Sequence, residues 1–361
     1  MSKIVGRHRW DLSVLIPARN ETFLSRTVQD VLEHSGPRTE VIVMLDGAWA
    51  SPPIVSHPRV TVVYLPVSIG QRAATNMAAR LSTATYVMKL DAHCALDDGF
   101  DAKLIAADEE IGRPDLTQIP VQYNLHVFNW RCPICRFEIY QGPTPTDCHH
   151  CHASGTPFEQ VMIWERRKRT PKGNGSEGEG SFVRTAFWRF DHTLHFQYDG
   201  DYSKRPDAQS DLADVMSSIG ACWFMRRTRY WELDGFDEAH GSWGQYGTEL
   251  ACKSWLSGGR QIVNKRTWYA HLFRTQGGDF GFPYPLPGKA VDHARERSRE
   301  LWLHNAWDKQ TRPLSWLLEK FSPVAGWHTP AKGSDESPDG REKMLQIVRE
   351  RGDTFHPHPR P

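Results

Sequence analysis

Apolar runs alternate with amphipathic stretches through the first hundred residues, and this alternation constrains the fold more than any other feature. LSVLIP (12–17) is followed by FLSRTVQDVLEH (23–34), EVIVML (40–45), VTVVYLP (60–66), QRAATNMAARLS (71–82) and YVMKLD (86–91). Strand and helix taking turns in this way predict a mainly parallel sheet with helices on both faces, a Rossmann-like α/β arrangement. Ligands in such sheets bind outside the carboxyl ends of the strands. Pro17 to Glu21, Asp46 and Asp91 all fall at such ends, so three polar clusters are expected on one edge.

The end of YVMKLDAHC carries the clearest chemistry. Side chains at i and i+2 of a strand share a face, so Asp91 and His93 project together and could grip one cation. A carboxylate beside an imidazole suits manganese better than calcium or magnesium, which favour all-oxygen shells. The competing reading is an ordinary solvated strand end.

A second metal signal lies in CPIC and CHHC. Cys132, Cys135, Cys148 and Cys151 form a Cys-x2-Cys-x12-Cys-x2-Cys array that can close four thiolates around a structural zinc. Disulfides, a redox pair, or His149, His150 or His152 in place of one thiolate are the alternatives. The other three cysteines, Cys94, Cys222 and Cys252, read as buried small hydrophobes.

Composition narrows the partners little. The 44 Lys and Arg against 43 Asp and Glu give a net charge of +1, which excludes a strongly basic scaffold but allows local patches such as Arg166 to Arg169. No apolar run reaches the length of a membrane span and no signal-peptide core precedes the first strand, so a cytoplasmic protein without membrane contact is expected. The organisation expected is a nucleotide-binding half (1–120), a zinc-binding insertion (121–160), an acceptor half with a charged, Gly-rich loop (161–280), a lid and helix (281–327) and a mostly disordered polar tail (328–361).

Taken together, these segments resemble the GT-A nucleotide-sugar glycosyltransferases, both the family 2 enzymes and the polypeptide N-acetylgalactosaminyltransferases. The resemblance rests on LSVLIPARNETFLSRTVQDVL, SIGQRAATNMAA, KLDAHC, SSIGACWFMRRTRYWELDGFDEAHGSWGQYGTELACKSWLSGGRQI and AHLFR, in that order over roughly 11–307. It implies a UDP-linked sugar donor contacted by Pro17, Arg19, Asn20, Glu21, Asp46, Arg72, Asn76 and Asp91. It nominates His271 as the third ligand of a catalytic Mn2+ beside Asp91 and His93, and TQGGDFGFPYPLPG as a lid.

The resemblance further offers Glu249 or Asp237 as acceptor-side base, Trp243 as a wall of the sugar pocket and Arg274 as a second cation near the diphosphate. Against these stand a helix N-terminal glutamate favoured by the macrodipole, a core tryptophan and a surface ion pair. Where relatives carry acidic residues, this chain has Tyr246 and Gly247.

CKSWLSGGR, TWYAHLFRTQGGDFGFPYP and the zinc knuckle also look like virus-type family 2 transferases, some of which glycosylate hydroxymethylated pyrimidines in DNA; for such a protein the compartment is the host cytoplasm. DNA is accordingly the leading acceptor expected, with Arg166 to Arg169 on phosphates and Phe182, Phe187, Trp188 or Tyr198 stacking on bases. A glycan precursor, a protein hydroxyl and a non-enzymatic nucleic-acid-binding role on a transferase scaffold are the alternatives.

Overall fold

The structure is a computed structural model and describes residues 9–169, 181–273 and 288–327. Its elements in chain order are β1 (Leu12–Ala18), α1 (Leu24–His34), β2 (Thr39–Asp46), β3 (Val60–Leu65), α2 (Gln71–Leu81), β4 (Tyr86–Leu90), β5 (Cys94–Leu96), α3 (Phe100–Ile111), β6 (Leu116–Arg131), β7 (Glu138–Tyr140) and β8 (Glu159–Arg166). There follow β9 (Arg184–Thr185), β10 (Trp188–Phe190), β11 (Phe196–Tyr198), β12 (Leu212–Asp214), β13 (Cys222–Arg226), α4 (Arg227–Glu232), α5 (Tyr246–Leu256), β14 (Arg260–His271), α6 (Gly288–Ser298) and α7 (Leu314–Lys320).

The main sheet runs β12-β14-β6-β13-β4-β1-β2-β3. The pairings β4·β1, β1·β2, β2·β3 and β14·β6 are parallel, and β13 is inserted antiparallel between β4 and β6. β1 and β2 are near-continuous apolar runs because both of their faces are covered. Val14, Ile16, Val41 and Val43 pack with Leu24, Val28 and Val31 of α1 and Leu104 of α3. Leu15, Ile42 and Met44, one residue out of step, pack with Ala74 and Ala78 of α2, on the face where α5 covers β14. Two helical layers on one sheet follow from the period of two. This is the mainly parallel, Rossmann-like α/β arrangement expected from the alternation.

β6 departs from the expected break after residue 120. It runs on as one strand to Arg131 and, past the main sheet, pairs with β7 and β8 as a projecting ribbon that ends at Cys132. Two things hide this strand in the sequence. Pro120 cannot donate to a ladder and sits where the β14 partner register shifts after Asn264. Gln118 and Gln122 interrupt the apolar pattern yet are fully buried, and Gln118 donates to the Leu104 carbonyl at 2.9 Å.

Cys94, Cys222 and Cys252 are buried as expected. No helix among the described residues is long and apolar enough to cross a membrane. The lid segment up to Pro287, Arg274 and the 328–361 tail lie outside the described residues.

Candidate active site

The carboxyl ends of β1 and β4 and the last residue of β14 meet at a cavity of about 330 Å3. Pro17, Glu21, Asp91, His93 and His271 line its floor, with Trp243 and His195 among its walls. β14 carries His271 there because its final residues pair antiparallel with β5, placing His271 opposite Cys94, one residue after His93.

His93 Nε2 lies 3.1 Å from His271 Nε2, and His271 Nε2 lies 3.2 Å from Asp91 Oδ2. Ligand atoms about 2.1 Å from an octahedral cation stand roughly 3.0 Å apart at neighbouring positions. The three residues therefore fit a divalent cation, and two imidazoles with one carboxylate match the donor preference of manganese-type ions. Burial pushes the His271 imidazole down to about 4, against the raising pull of Asp91, so it is neutral at pH 7 and offers a lone pair. Burial alone would raise the Asp91 carboxyl; Lys89 and the two imidazoles outweigh it and hold it well below the carboxylate range.

Further residues orient these three. Glu21 Oε2 lies 3.1 Å from His93 Nδ1, which turns His93 Nε2 toward the cavity. Lys89, buried beside Asp91, pairs with Oδ1 of that carboxylate and donates to the Gly220 carbonyl at 2.9 Å. Gln71 Nε2 donates to the same Oδ1 at 3.2 Å, leaving Oδ2 toward His271. Sequence reading marked Glu21 as a donor contact and passed over Lys89 and Gln71. The only available signal for Lys89 was a charged residue inside an otherwise apolar strand.

Other expected site residues are placed elsewhere. Asp46 is fully buried, and its carboxylate accepts from Ser68 Oγ at 2.8 Å, Ile69 N at 2.7 Å and Gly70 N at 3.0 Å, fixing the turn into α2. Arg19 donates to the Asp46 carbonyl at 3.3 Å, and Asn20 is exposed in the left-handed region, φ 50°. Asn76 is a staple between α2 and the 236–238 loop: its Nδ2 donates to Phe236 O at 2.9 Å and its Oδ1 accepts from Phe236 N at 3.0 Å.

Glu249, expected as base, is 0 % exposed and away from the cavity wall. It accepts from Arg72 Nε at 2.8 Å and from the Asp237 amide at 2.6 Å, and Lys253 Nζ lies 3.1 Å away. Burial would raise its carboxyl, but Lys253, Arg72 and His240 pull it to about 2. Arg72 is likewise turned inward, donating to Gly244 O at 2.6 Å. Asp237 caps the turn at 238–240 and pairs with Arg297 at 2.8 Å.

The absence of acid at 247 has a steric cause. A Cβ at Gly247 would sit 1.9 Å from the Ser218 carbonyl oxygen, because the first turn of α5 lies directly on the 218–220 backbone. Of the basic run, Arg166 stacks over Tyr123, Phe182 and Trp268, and Arg167 over Tyr140, whereas Lys168 and Arg169 are exposed. Of the rings expected to stack on bases, Phe187 and Trp188 are buried, Phe182 packs on the core and Tyr198 is 52 % exposed.

With this geometry, the model of glycosyl transferase family 2 matches residues 13–167, the segment that supplies Glu21, Asp91 and His93. This segment is similar to the family 2 glycosyltransferases. The chain is also 25% identical over 276 residues to the Caenorhabditis elegans protein named "Probable N-acetylgalactosaminyltransferase 7", covering 73% of this chain and 39% of that one. It is 29% identical over 114 residues to N-acetylgalactosaminyltransferase 6 of Drosophila melanogaster, 30% of this chain and 17% of that one. The chain thus spans well under half the length of these relatives. Among solved structures, GalNAc-T7 with UDP, GalNAc and Mn2+ superposes with a TM-score of 0.55 at 17% identity, over 87% of this chain and 57% of that one. That likeness establishes the GT-A fold.

Proposed function

We propose that this protein transfers a sugar from a UDP-linked donor to a hydroxyl acceptor in a reaction that depends on a divalent cation held by Asp91, His93 and His271. The observation that carries the reading is the meeting of these three side chains, two from the segment just after β4 and one from the last residue of β14, in a cavity at the carboxyl edge of the sheet. When bound there, manganese supplies positive charge against the negative charge that develops on a leaving diphosphate. Glu21 keeps His93 Nε2 aimed at that position, and Lys89 and Gln71 fix Asp91. Trp243 walls the cavity where an apolar sugar face would rest. Because the relatives are N-acetylgalactosaminyltransferases, UDP-GalNAc is the donor to test first.

An inverting transfer needs a base for the acceptor proton. Among the described residues Glu21 and Asp91 are the carboxylates on the cavity wall, and both are engaged at the metal end. His195 also lines the cavity, and burial lowers its imidazole below the usual 6.5, so it holds a lone pair at neutral pH. We assign the base to His195 in place of Glu249 or Asp237.

For the acceptor, a hydroxymethylated pyrimidine in DNA remains the candidate from sequence, with Lys168 and Arg169 as the two members of the basic run that face solvent. Nucleotide sugars incubated with Mn2+ and hydroxymethylated DNA, read by mass spectrometry of the nucleosides, test it. A hexose or N-acetylhexosamine adduct supports the acceptor. Donor turnover without a DNA adduct moves the acceptor to a glycan precursor or protein hydroxyl, and no turnover of any nucleotide sugar removes the transferase reading.

A further inference from the structure

At the far end of the β6–β7–β8 ribbon the chain makes the same turn twice. At Cys132 the amide donates to Phe137 O at 2.9 Å, and the amide of Arg136 returns to Cys132 O at 3.0 Å. At Cys148 the amide donates to Ala153 O at 2.9 Å, and the amide of His152 returns to Cys148 O at 2.9 Å. Each turn places its fourth residue after the leading cysteine in the left-handed region, Arg136 at φ 63° and His152 at φ 58°. Side-chain-bearing residues rarely occupy that region. Two equivalent turns face one another, each presenting two sulfurs.

The spacing of the sulfurs is diagnostic. Cys132 Sγ is 3.8 Å from Cys151 Sγ and Cys135 Sγ is 3.6 Å from Cys148 Sγ, and all four lie within 4.8 Å of one another. A disulfide would bring two sulfurs to about 2.05 Å. Four thiolates about 2.3 Å from a central zinc form a tetrahedron with edges of roughly 3.8 Å. Both cross-turn distances match the tetrahedral edge.

Apart from strand pairing and the ion pairs Arg131–Glu138 and Arg136–Glu159, little holds this module. Its buried apolar cluster consists of Cys132, Cys148 and Phe158, with Trp130, Ile139 and Ala153 partly covering it. Ile134 and Phe137 are exposed at 63 % and 42 %, so they add nothing to a core. A short segment with two unfavourable backbone positions and so small a core is of the kind that folds only around a metal.

We propose that Cys132, Cys135, Cys148 and Cys151 bind one structural zinc ion, which closes the two turns into a single knuckle and terminates the ribbon. With all four positions taken by protein sulfur, the ion has no vacancy for substrate and serves the fold. The ribbon it closes is tied to the active-site edge: Trp164 Nε1 of β8 donates to Asp30 Oδ2 at 2.8 Å, and Asp30 Oδ1 accepts from Leu96 N of β5 at 2.7 Å.

The test is independent of sugar transfer. Full-length protein purified under reducing conditions and dialysed against EDTA is analysed for metals, and its zinc absorption edge is recorded. One zinc per chain with four sulfur neighbours is expected, at the same stoichiometry in His271→Ala, and below half of it in Cys132→Ser and Cys148→Ser. Zinc with a nitrogen neighbour, zinc that disappears with His271→Ala, or metal-free protein with four freely titrating thiols or with disulfides would each overturn the site. Should the cysteine variants fail to fold, the absorption edge of the parent protein decides alone.

Discussion

His93 Nε2 and His271 Nε2, 178 residues apart in sequence, stand 3.1 Å from each other across the cavity floor. The two nitrogens can share one hydrogen, donated by whichever ring carries it, or one cation between them. Replacing either with alanine is expected to abolish Mn2+ binding in calorimetric titration while moving the melting temperature by only a few degrees. Loss of fold in both variants with unchanged Mn2+ affinity in the residual folded protein would remove them from the site.

Glu21→Gln should act through His93. The glutamine keeps the volume but no longer fixes the His93 Nδ1 proton by charge, and loss of such an orienting partner costs about 10–100-fold in metal affinity. Mn2+ titration of the variant checks this; an unchanged affinity would mean that Glu21 meets the donor instead.

Glu249→Gln separates a buried ion-pair role from a base role. It leaves Arg72 and Lys253 buried beside a neutral side chain, so destabilisation on the order of 3 kcal/mol is expected in urea unfolding at pH 7. In the parent, a folded value of about 2 against 4.5 unfolded means the stabilisation is complete above the unfolded value and is lost as pH falls toward 2. The variant should lack that part of the acid-side decline. A stable variant with only kcat reduced would restore Glu249 as a candidate base.

His195→Gln should leave Mn2+ and UDP affinity intact and lower kcat for donor turnover by about 100-fold or more. The acidic limb of the pH–rate profile should vanish with it. A variant that keeps that limb would clear His195 of proton transfer.

If DNA is the acceptor, neutralising Lys168 and Arg169 together should lower the slope of log affinity against log salt by about 1.8, two contacts at 0.9 each. Arg166→Ala should instead lower the melting temperature, because it empties the box formed by Tyr123, Phe182 and Trp268. Fluorescence anisotropy across a salt series distinguishes the two.

How much of this was legible differed by residue. Asp91 and His93 could be read because their proximity is local, two residues apart on a strand end. His271 required the family resemblance, since nothing local ties it to a position 180 residues earlier. Asp46, Arg72, Asn76 and Glu249 are named by the family resemblance, but sequence does not say which way a side chain turns; all four bond to the protein interior. Gly247 reads as a lost carboxylate until the Ser218 carbonyl beneath it is seen. The ribbon of β6 was obscured by Pro120 and by the buried Gln118 and Gln122, of which Gln118 bonds to Leu104 O and Asn264 on other segments.

The central claim is tested most directly by the release of UDP from UDP-linked sugars, UDP-GalNAc first, in the presence of Mn2+, with the Asp91→Asn, His93→Ala and His271→Ala proteins assayed alongside. The account predicts release that stops on adding EDTA, returns with Mn2+ and is absent from all three variants. Release that persists in EDTA or in any of the folded variants, or no release from the parent protein with any UDP-linked sugar, would contradict it.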